Sequence, residues 1–200
     1  LFTGKPTDAL FYELHIRDLS MDQSAPFPNS ARGKFAALTF SNLKGKSGQP
    51  VGVAAIKDLG ITHLQILPMY DYASVDEANP TFNWGYDPLN YNVPEGSYST
   101  QPANPTNRIT ELKQTVQFMH AQGLRVVMDV VYNHVGEPAH LMLVDRLYYF
   151  EVDSDGQLTN WSGCGNDLRC RVVGEGGNLG FTQLGRVEAR LYRDVRRRRI

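Results

Sequence analysis

The chain has 200 residues, of which 42% are hydrophobic and 20% are charged, and its formal net charge is −1. This composition is typical of a folded globular protein and argues against bulk disorder and against a dedicated nucleic-acid-binding protein. No apolar run reaches the ~20 residues that a membrane-spanning helix needs. The charge balance and the absence of such a run mean that neither nucleic acid nor a membrane is an expected partner.

The first part of the chain predicts a strand, a helix and a second strand. Residues 10–16 (LFYELHI) are rich in aromatic and branched side chains, which favours a strand. Val53, Ile56 and Leu59 recur at helical spacing, and Gly60 stands where a helix C-cap glycine belongs. Residues 61–67 (ITHLQIL) predict the second strand, which Pro68 ends.

A loop of about 40 residues is predicted from Pro68 to Asn107, and loops of this length inside a compact domain are usually functional. Asn107 is the expected cap of the next helix, which Gly123 ends. The apolar stripe expected on that helix consists of Ile109, Leu112, Val116 and Met119.

A third strand is predicted at residues 124–131 (LRVVMDVV), where a nearly continuous apolar run favours burial on both faces of a parallel sheet. Strands and helices therefore alternate, which is typical of repeated β/α winding. The fold class is α/β, and the periodicity is compatible with either a barrel or a doubly wound sheet.

Two polar clusters stand where parallel β/α folds bind ligands, in loops that follow strands. The first contains Asp129, Asn133 and His134; Asp129 interrupts an apolar run and needs a hydrogen-bond partner or a counter-charge there. The second contains Trp84 and Tyr86, whose flat rings can stack on sugars, together with Asp87. A purely structural interpretation remains open for both clusters. In the first, Asp129 would be a buried residue hydrogen-bonded by its neighbours and followed by an Asn–His turn. In the second, Trp84 and Tyr86 would anchor the loop as a small apolar core.

These two clusters carry a family resemblance. DVVYNH at 129–134 resembles the first conserved region of the α-amylase clan, glycoside hydrolase family 13. FNWGYDP at 82–88 resembles the YNWGYDP signature of type I pullulanases, with Phe82 in place of the usual Tyr. The stretches 83–100 and 162–168 (SGCGNDL) are also similar to those enzymes, and the similarity ends near Leu168.

The resemblance implies that residues 1–168 form the N-terminal portion of an α-amylase-type catalytic barrel, a partial TIM (β/α)₈ barrel of about three β/α units. The implied function is a fragment of a debranching hydrolase that cleaves α-1,6-glucosidic links in pullulan, starch or glycogen. The alternatives are another α-glucan hydrolase of the amylase or isoamylase type and a noncatalytic α-glucan-binding module. A doubly wound nucleotide-binding protein is disfavoured because no strand is followed by a Gly-rich phosphate loop.

The resemblance also implies roles for the matched residues. Tyr86 would stack on the sugar at the cleavage subsite and His134 would bond its hydroxyls, so we expect the two to lie close together. The residues that would shape, orient or brace this site are Trp84, Asp87, Asp129 and Asn133.

The two catalytic carboxylates of a retaining glycosidase are not matched in this sequence. Such enzymes need a nucleophile and an acid/base about 5 Å apart, and in this family the nucleophile lies in a strand motif like GFRFD. No such motif occurs here, so we expect no catalytic residue in this chain and no hydrolysis by it alone. No metal-ligand pattern is present, and the sequence leaves calcium binding open.

Residues 169–200 differ in composition from the rest of the chain. They hold nine Arg, no Lys and three acids, a net charge of +6, whereas residues 1–168 are net −7. We interpret this tail as an out-of-register translation or a junction artefact; the rival interpretation is a basic tail that binds nucleic acid or a membrane. Cys164 and Cys170 are expected to be free thiols. The chain begins at Leu1 with no signal peptide, which predicts a truncated N-terminus and leaves compartment and oligomeric state open.

Overall fold

The computed structural model describes residues 3–169, which fall into two compact units. Among these residues, unit 1 consists of 3–69, Val75–Trp84 and Pro94–Val130, and unit 2 of Tyr70–Ser74, Gly85–Val93 and 131–169. The described strands are β1 (Phe11–Leu14), β2 (His63–Ile66), β3 (Tyr70–Tyr72), β4 (Pro88–Pro94) and β5 (Arg125–Met128). The described α-helices are α1 (Asp18–Met21), α2 (Val53–Asp58), α3 (Pro105–Ala121) and α4 (Leu141–Tyr149).

A three-stranded parallel sheet forms the centre of unit 1. Its strand order is β1-β2-β5, with Leu14 beside Ile66 and Ile66 beside Met128. Parallel neighbours need a crossover connection, and the chain segments that make the two crossovers include α2 and α3. The three predicted strands and their parallel arrangement are confirmed, and their order in the sheet follows the chain.

The core of unit 1 lies on the middle strand of this sheet and under α3. Leu64 and Ile66 of β2 are buried, as are Val116 and Met119 of α3. A short 3₁₀ helix, Phe35–Thr39, packs against α3, and the Thr115 hydroxyl donates to the Phe35 carbonyl at 3.1 Å. The apolar spacing of β2 and α3 therefore produces one shared core.

The prediction that the third strand is buried on both faces is wrong. Leu124 and Val126 are buried, but Val127, Met128 and Asp129 are only half-buried. The strand is also shorter than predicted: it ends at Met128, so Asp129 follows it, although the Asp129 amide still donates to the Ile66 carbonyl at 3.0 Å. The reason is that α3 packs against β5 while alternate positions keep contact with solvent.

The N-cap of α3 and the membership of the apolar stripes differ from prediction, whereas the C-terminal ends of α2 and α3 agree with it. Asn104, not Asn107, caps α3, because its side chain accepts from Thr106 N at 3.1 Å and Pro105 suits the first helical position, which needs no N–H. Ile109 is 43% exposed and Leu59 is 64% exposed, so the predicted apolar stripes include outward-facing members. The residues of α3 that are buried are Arg108, Thr115, Val116 and Met119.

Both predicted helix ends are confirmed. Gly60 has a φ of +73° and Gly123 a φ of +82°, each directly after the last helical turn. This left-handed backbone conformation favours glycine, which lacks a Cβ, and explains why the sequence marks these two positions.

The long loop predicted at 68–107 contains regular structure. It holds β3 and β4, which pair in a two-stranded sheet of unit 2, and the 3₁₀ helix Gly96–Tyr98 of unit 1. Prolines at both ends of β4 conceal it, because proline inside an apolar run argues against a strand.

Unit 2 also contains α4, on which Leu143, Val144 and Leu147 are exposed. Cys164 is a free, exposed thiol, as predicted. Cys170 and the predicted artefactual tail, apart from Arg169, lie outside the described residues. Within residues 3–169, no helix is long and apolar enough to cross a membrane.

Candidate functional site

The turn that carries Tyr86 and Asp87 is built between the two strands of the unit 2 sheet. Gly85 has a φ of +80°, which allows the chain to turn sharply before Tyr86. Asp87 then joins the end of β3: its carbonyl accepts from Ala73 N at 2.9 Å and its Oδ2 accepts from Ser74 N at 2.7 Å. Asp87 therefore orients this turn through hydrogen bonds to the backbone.

His134 lies against this turn and is only 6% exposed. Its Nε2 is 2.7 Å from the Tyr86 carbonyl oxygen, and because a carbonyl only accepts, Nε2 carries the proton. Its Nδ1 is 2.8 Å from Asn133 Oδ1. The Tyr91 hydroxyl donates to the backbone carbonyl of His134 at 2.8 Å. The imidazole is thus held at both ring nitrogens by protein atoms.

Tyr86 differs from His134 in accessibility. The Tyr86 side chain is 38% exposed, although its backbone carbonyl is held by His134. Asn133 is also exposed. Unit 2 therefore holds four of the six predicted site residues, namely Tyr86, Asp87, Asn133 and His134. Among them, Tyr86 offers an aromatic ring that solvent can reach. A sugar hydroxyl that bonds the imidazole has to share or displace one of the two hydrogen bonds of His134.

The remaining two predicted site residues, Trp84 and Asp129, belong to unit 1. Trp84 is 58% exposed and meets the ring of Phe82 edge to face, with 5.0 Å between ring centroids. The exposure of Trp84 and Tyr86 contradicts the interpretation of these rings as a buried mini-core. Asp129 is half-buried directly after β5, so it is not the fully buried carboxylate that the apolar run suggested.

Sequence reasoning missed His15, which supports the segment that carries Trp84. His15 is buried at the end of β1, and its Nε2 donates to the Asn83 carbonyl at 2.8 Å. Its ring also lies 5.2 Å from that of Phe82. A polar ring inside the apolar run LFYELHI was the only sequence signal for this residue.

Sequence reasoning also missed Asn166, a fully buried residue of the SGCGNDL segment that bonds the backbone of Val135. Next to it, the Asp167 carboxylate accepts from Trp161 N at 2.6 Å and Ser162 N at 2.9 Å. Burial raises the pKa of Asp167, but the hydrogen bonds from Ser162 and Trp161 outweigh it, so the pKa is lowered from its ordinary value. The resemblance at 162–168 marked this segment without indicating a role for either residue.

Two family models match the chain. The model "Alpha amylase, catalytic domain" matches residues 50–145 and so includes both motif segments. The model "Bacterial NAD-glutamate dehydrogenase, catalytic domain" matches residues 159–196, which overlap neither motif and lie mostly outside the described part of the chain.

Known proteins similar to the chain include pullulanases, and also the glycogen debranching enzyme of Klebsiella pneumoniae, which is 32% identical over 170 residues. The pullulanase of Bacillus subtilis is 42% identical over 167 residues, which are 82% of this chain and 23% of that protein. The crystal structure of Paenibacillus barengoltzii pullulanase with maltohexaose and α-cyclodextrin has a TM-score of 0.79 at 48% identity, covering 83% of this chain and 26% of that one. The pullulanase of Anoxybacillus sp. LM18-11 with maltotetraose also has a TM-score of 0.79, at 40% identity, covering 84% and 25%. The chain thus spans about a quarter of the length of these relatives.

Proposed function

Because this chain belongs to the type I pullulanases of the α-amylase clan, we propose that it carries glucan-binding residues of an enzyme that hydrolyses α-1,6 links in pullulan, starch or glycogen. The observation that carries this proposal is the hydrogen bond between His134 Nε2 and the Tyr86 carbonyl at 2.7 Å. It joins the two motif segments, 48 residues apart in sequence, into one cluster. Two relatives were crystallised with maltooligosaccharides, which supports an α-glucan as the ligand.

The proposal assigns the parallel sheet to the opening of a (β/α)₈ barrel. Strands β1, β2 and β5 with their crossovers would be about its first three β/α units, and residues 1–168 the N-terminal portion of the catalytic domain. The support is that the strands are parallel and follow chain order, as barrel strands do.

The site residues have distinct roles in this proposal. Tyr86 offers the exposed ring on which a glucose unit stacks, and His134 supplies a ring N–H beside it. Asp87 and Asn133 hold this pair, and the proposal also counts Trp84 and Asp129, which belong to unit 1, among the substrate-binding residues. The hydrogen bonds of Asp87 to residues 73 and 74, and of Asn133 to His134, support this division of roles.

Binding of a glucan is the first test. Titration of the 200-residue chain with maltohexaose in a calorimeter should show binding that Tyr86→Ala weakens about tenfold, because covering roughly 50 Å² of apolar ring surface is worth about 1–1.5 kcal/mol. Tyr12→Ala is the matched control, since both tyrosines are 38% exposed and Tyr12 lies on β1. Equal losses in the two variants, or no binding by the unmodified chain, would overturn the proposal.

Hydrolysis is the second test. A covalent intermediate requires one carboxylate as nucleophile and a proton from another, so the chain alone should release no reducing sugar from pullulan. A version extended in the family pattern beyond Leu168 should release it. Cleavage of amylose but not pullulan by the extended version would indicate another α-glucan hydrolase. Binding without any cleavage would indicate a noncatalytic binding module.

A further inference from the structure

The most constrained side chain of unit 2 is that of Asn166, in the SGCGNDL segment. It is fully buried. Its Oδ1 accepts from Val135 N at 3.1 Å, and its Nδ2 donates to the Val135 carbonyl at 2.9 Å. The side-chain amide of Asn166 therefore bonds both backbone groups of Val135, as a neighbouring strand would do in a sheet.

This pairing depends on the chemistry of the asparagine side chain. Val135 is itself buried, and a buried backbone N–H or carbonyl without a partner is costly. An amide presents one acceptor and two donors on a short side chain, whereas a carboxylate would present only acceptors to the Val135 carbonyl. The second Nδ2 proton points towards Glu137 Oε1, at 3.4 Å. Asparagine is thus suited to this position in a way that alanine and aspartate are not.

The same segment also holds the chain on the other side of His134. Leu168 N donates to the Asn133 carbonyl at 2.9 Å, so residues 166–168 hold the backbone immediately before and immediately after His134. A third support comes from the Tyr91 hydroxyl on the His134 carbonyl. The imidazole projects from a backbone fixed at these points and reaches the Tyr86 carbonyl.

We propose that Asn166 is the positioning residue of His134: by binding both backbone groups of Val135, it sets where the imidazole stands relative to Tyr86. This inference rests on the proposed function, since it describes how the glucan-binding cluster is held. It gives the SGCGNDL segment a role, namely the support of the 133–135 backbone from a distance of 31 residues in sequence.

The direct test follows the imidazole by NMR. Nitrogen–proton correlation spectra detect the N–H groups of the histidine rings, and the signal that disappears in His134→Gln belongs to His134. In the unmodified chain, the His134 Nε2–H should exchange slowly with solvent because it is bonded to the Tyr86 carbonyl. In Asn166→Asp, which keeps the acceptor and loses the donor, this proton should exchange at least about tenfold faster. Asn160→Ala is the matched control: it removes the 2.7 Å bond to Gly165 N in the same loop without touching Val135. The control should leave the signal unchanged.

A second arm separates positioning from general stability. If Asn166 acts through His134, Asn166→Asp should weaken maltohexaose binding about fivefold in the unmodified chain and cause no further loss when His134→Ala is already present. Equal losses in both backgrounds, or an unchanged imidazole signal in Asn166→Asp, would overturn the inference. If the unmodified chain binds no maltohexaose, the proposed function fails, and the imidazole signal still decides whether Asn166 positions His134.

Discussion

Both units combine apolar burial with side-chain-to-backbone hydrogen bonds, but the parallel sheet of unit 1 and the 133–135 segment of unit 2 depend on them to different degrees. Unit 1 is organised by apolar burial around the middle strand of a parallel sheet, where Leu64 and Ile66 are almost completely buried. In unit 2, side chains bind the backbone directly: Asn166 binds Val135, and Asp87 binds Ser74. Apolar burial is spread over many contacts, whereas each side-chain-to-backbone pair depends on two atoms.

The difference between apolar burial and directional hydrogen bonds indicates which segments are suited to carry a binding site. A site needs side chains held in one orientation, and directional hydrogen bonds do this better than apolar contacts, which have no preferred direction. Four of the six predicted site residues lie in unit 2, and three of them, Tyr86, Asn133 and His134, are linked to one another by such bonds.

Amide hydrogen exchange can follow the two units separately, because each contains buried residues: Leu64 and Met119 in unit 1, and Tyr91 and Val135 in unit 2. The free energies of opening measured at backbone amides in each unit are the stability readout for the variants below.

The largest effect is expected from the core of unit 1. Leu64→Ala removes a side chain with 0% exposure from the middle strand and should lower the free energy of opening measured by amide exchange in unit 1 by about 2–5 kcal/mol. Leu59→Ala is the matched control: Leu59 is 64% exposed, and the change should stay within about 0.5 kcal/mol. Similar losses at both positions would break the view of unit 1 as a buried apolar core.

The next effect is expected at Gly136 in unit 2. A Cβ there would lie 2.5 Å from the Asp87 carbonyl oxygen and 2.8 Å from Ala73 Cβ, so Gly136→Ala should destabilise unit 2 by about 1–3 kcal/mol, measured by amide exchange in that unit. At Gly45 the added Cβ would meet only the flexible side chain of Gln49, which can move away. Gly45→Ala should therefore cost much less, and equal costs would contradict the close approach at Gly136.

A smaller effect with a pH dependence is expected at Asp167. Its pKa is lower in the folded chain than in the unfolded one, so its stabilising contribution is present above about pH 4 and is lost as the pH falls through the lowered pKa. Asp167→Ala should cost about 1–2 kcal/mol at pH 7 and reduce the loss of stability below pH 4. The exposed Asp155 is the control, and Asp155→Asn should keep the pH profile of the unmodified chain.

The smallest effect is expected at the start of α3. Asn104→Ala removes the acceptor for Thr106 N and should lower the stability of unit 1 by about 1 kcal/mol. Gln114→Ala, at an exposed position inside the same helix, should be neutral or slightly stabilising, because alanine has the highest helix propensity. A neutral Asn104→Ala would show that the cap contributes nothing to the stability of unit 1.

Local sequence signals were sufficient for the elements whose limits are local. The three parallel strands were predictable because each is a short run of β-forming residues, and two helix ends were predictable because Gly60 and Gly123 take a positive φ. The candidate site residues were found from two short motifs, since the residues of each motif are close together in sequence.

Burial and long-range pairing were decided by the tertiary structure. Helical spacing placed Ile109 and Leu59 on apolar faces, but only the elements packed against those faces determine which members lose contact with solvent. The bonds of Asn166 to Val135 and of His134 to Tyr86 span 31 and 48 residues. Such bonds leave no periodic pattern in the sequence, because each depends on one side chain that meets one distant backbone group after the chain has folded.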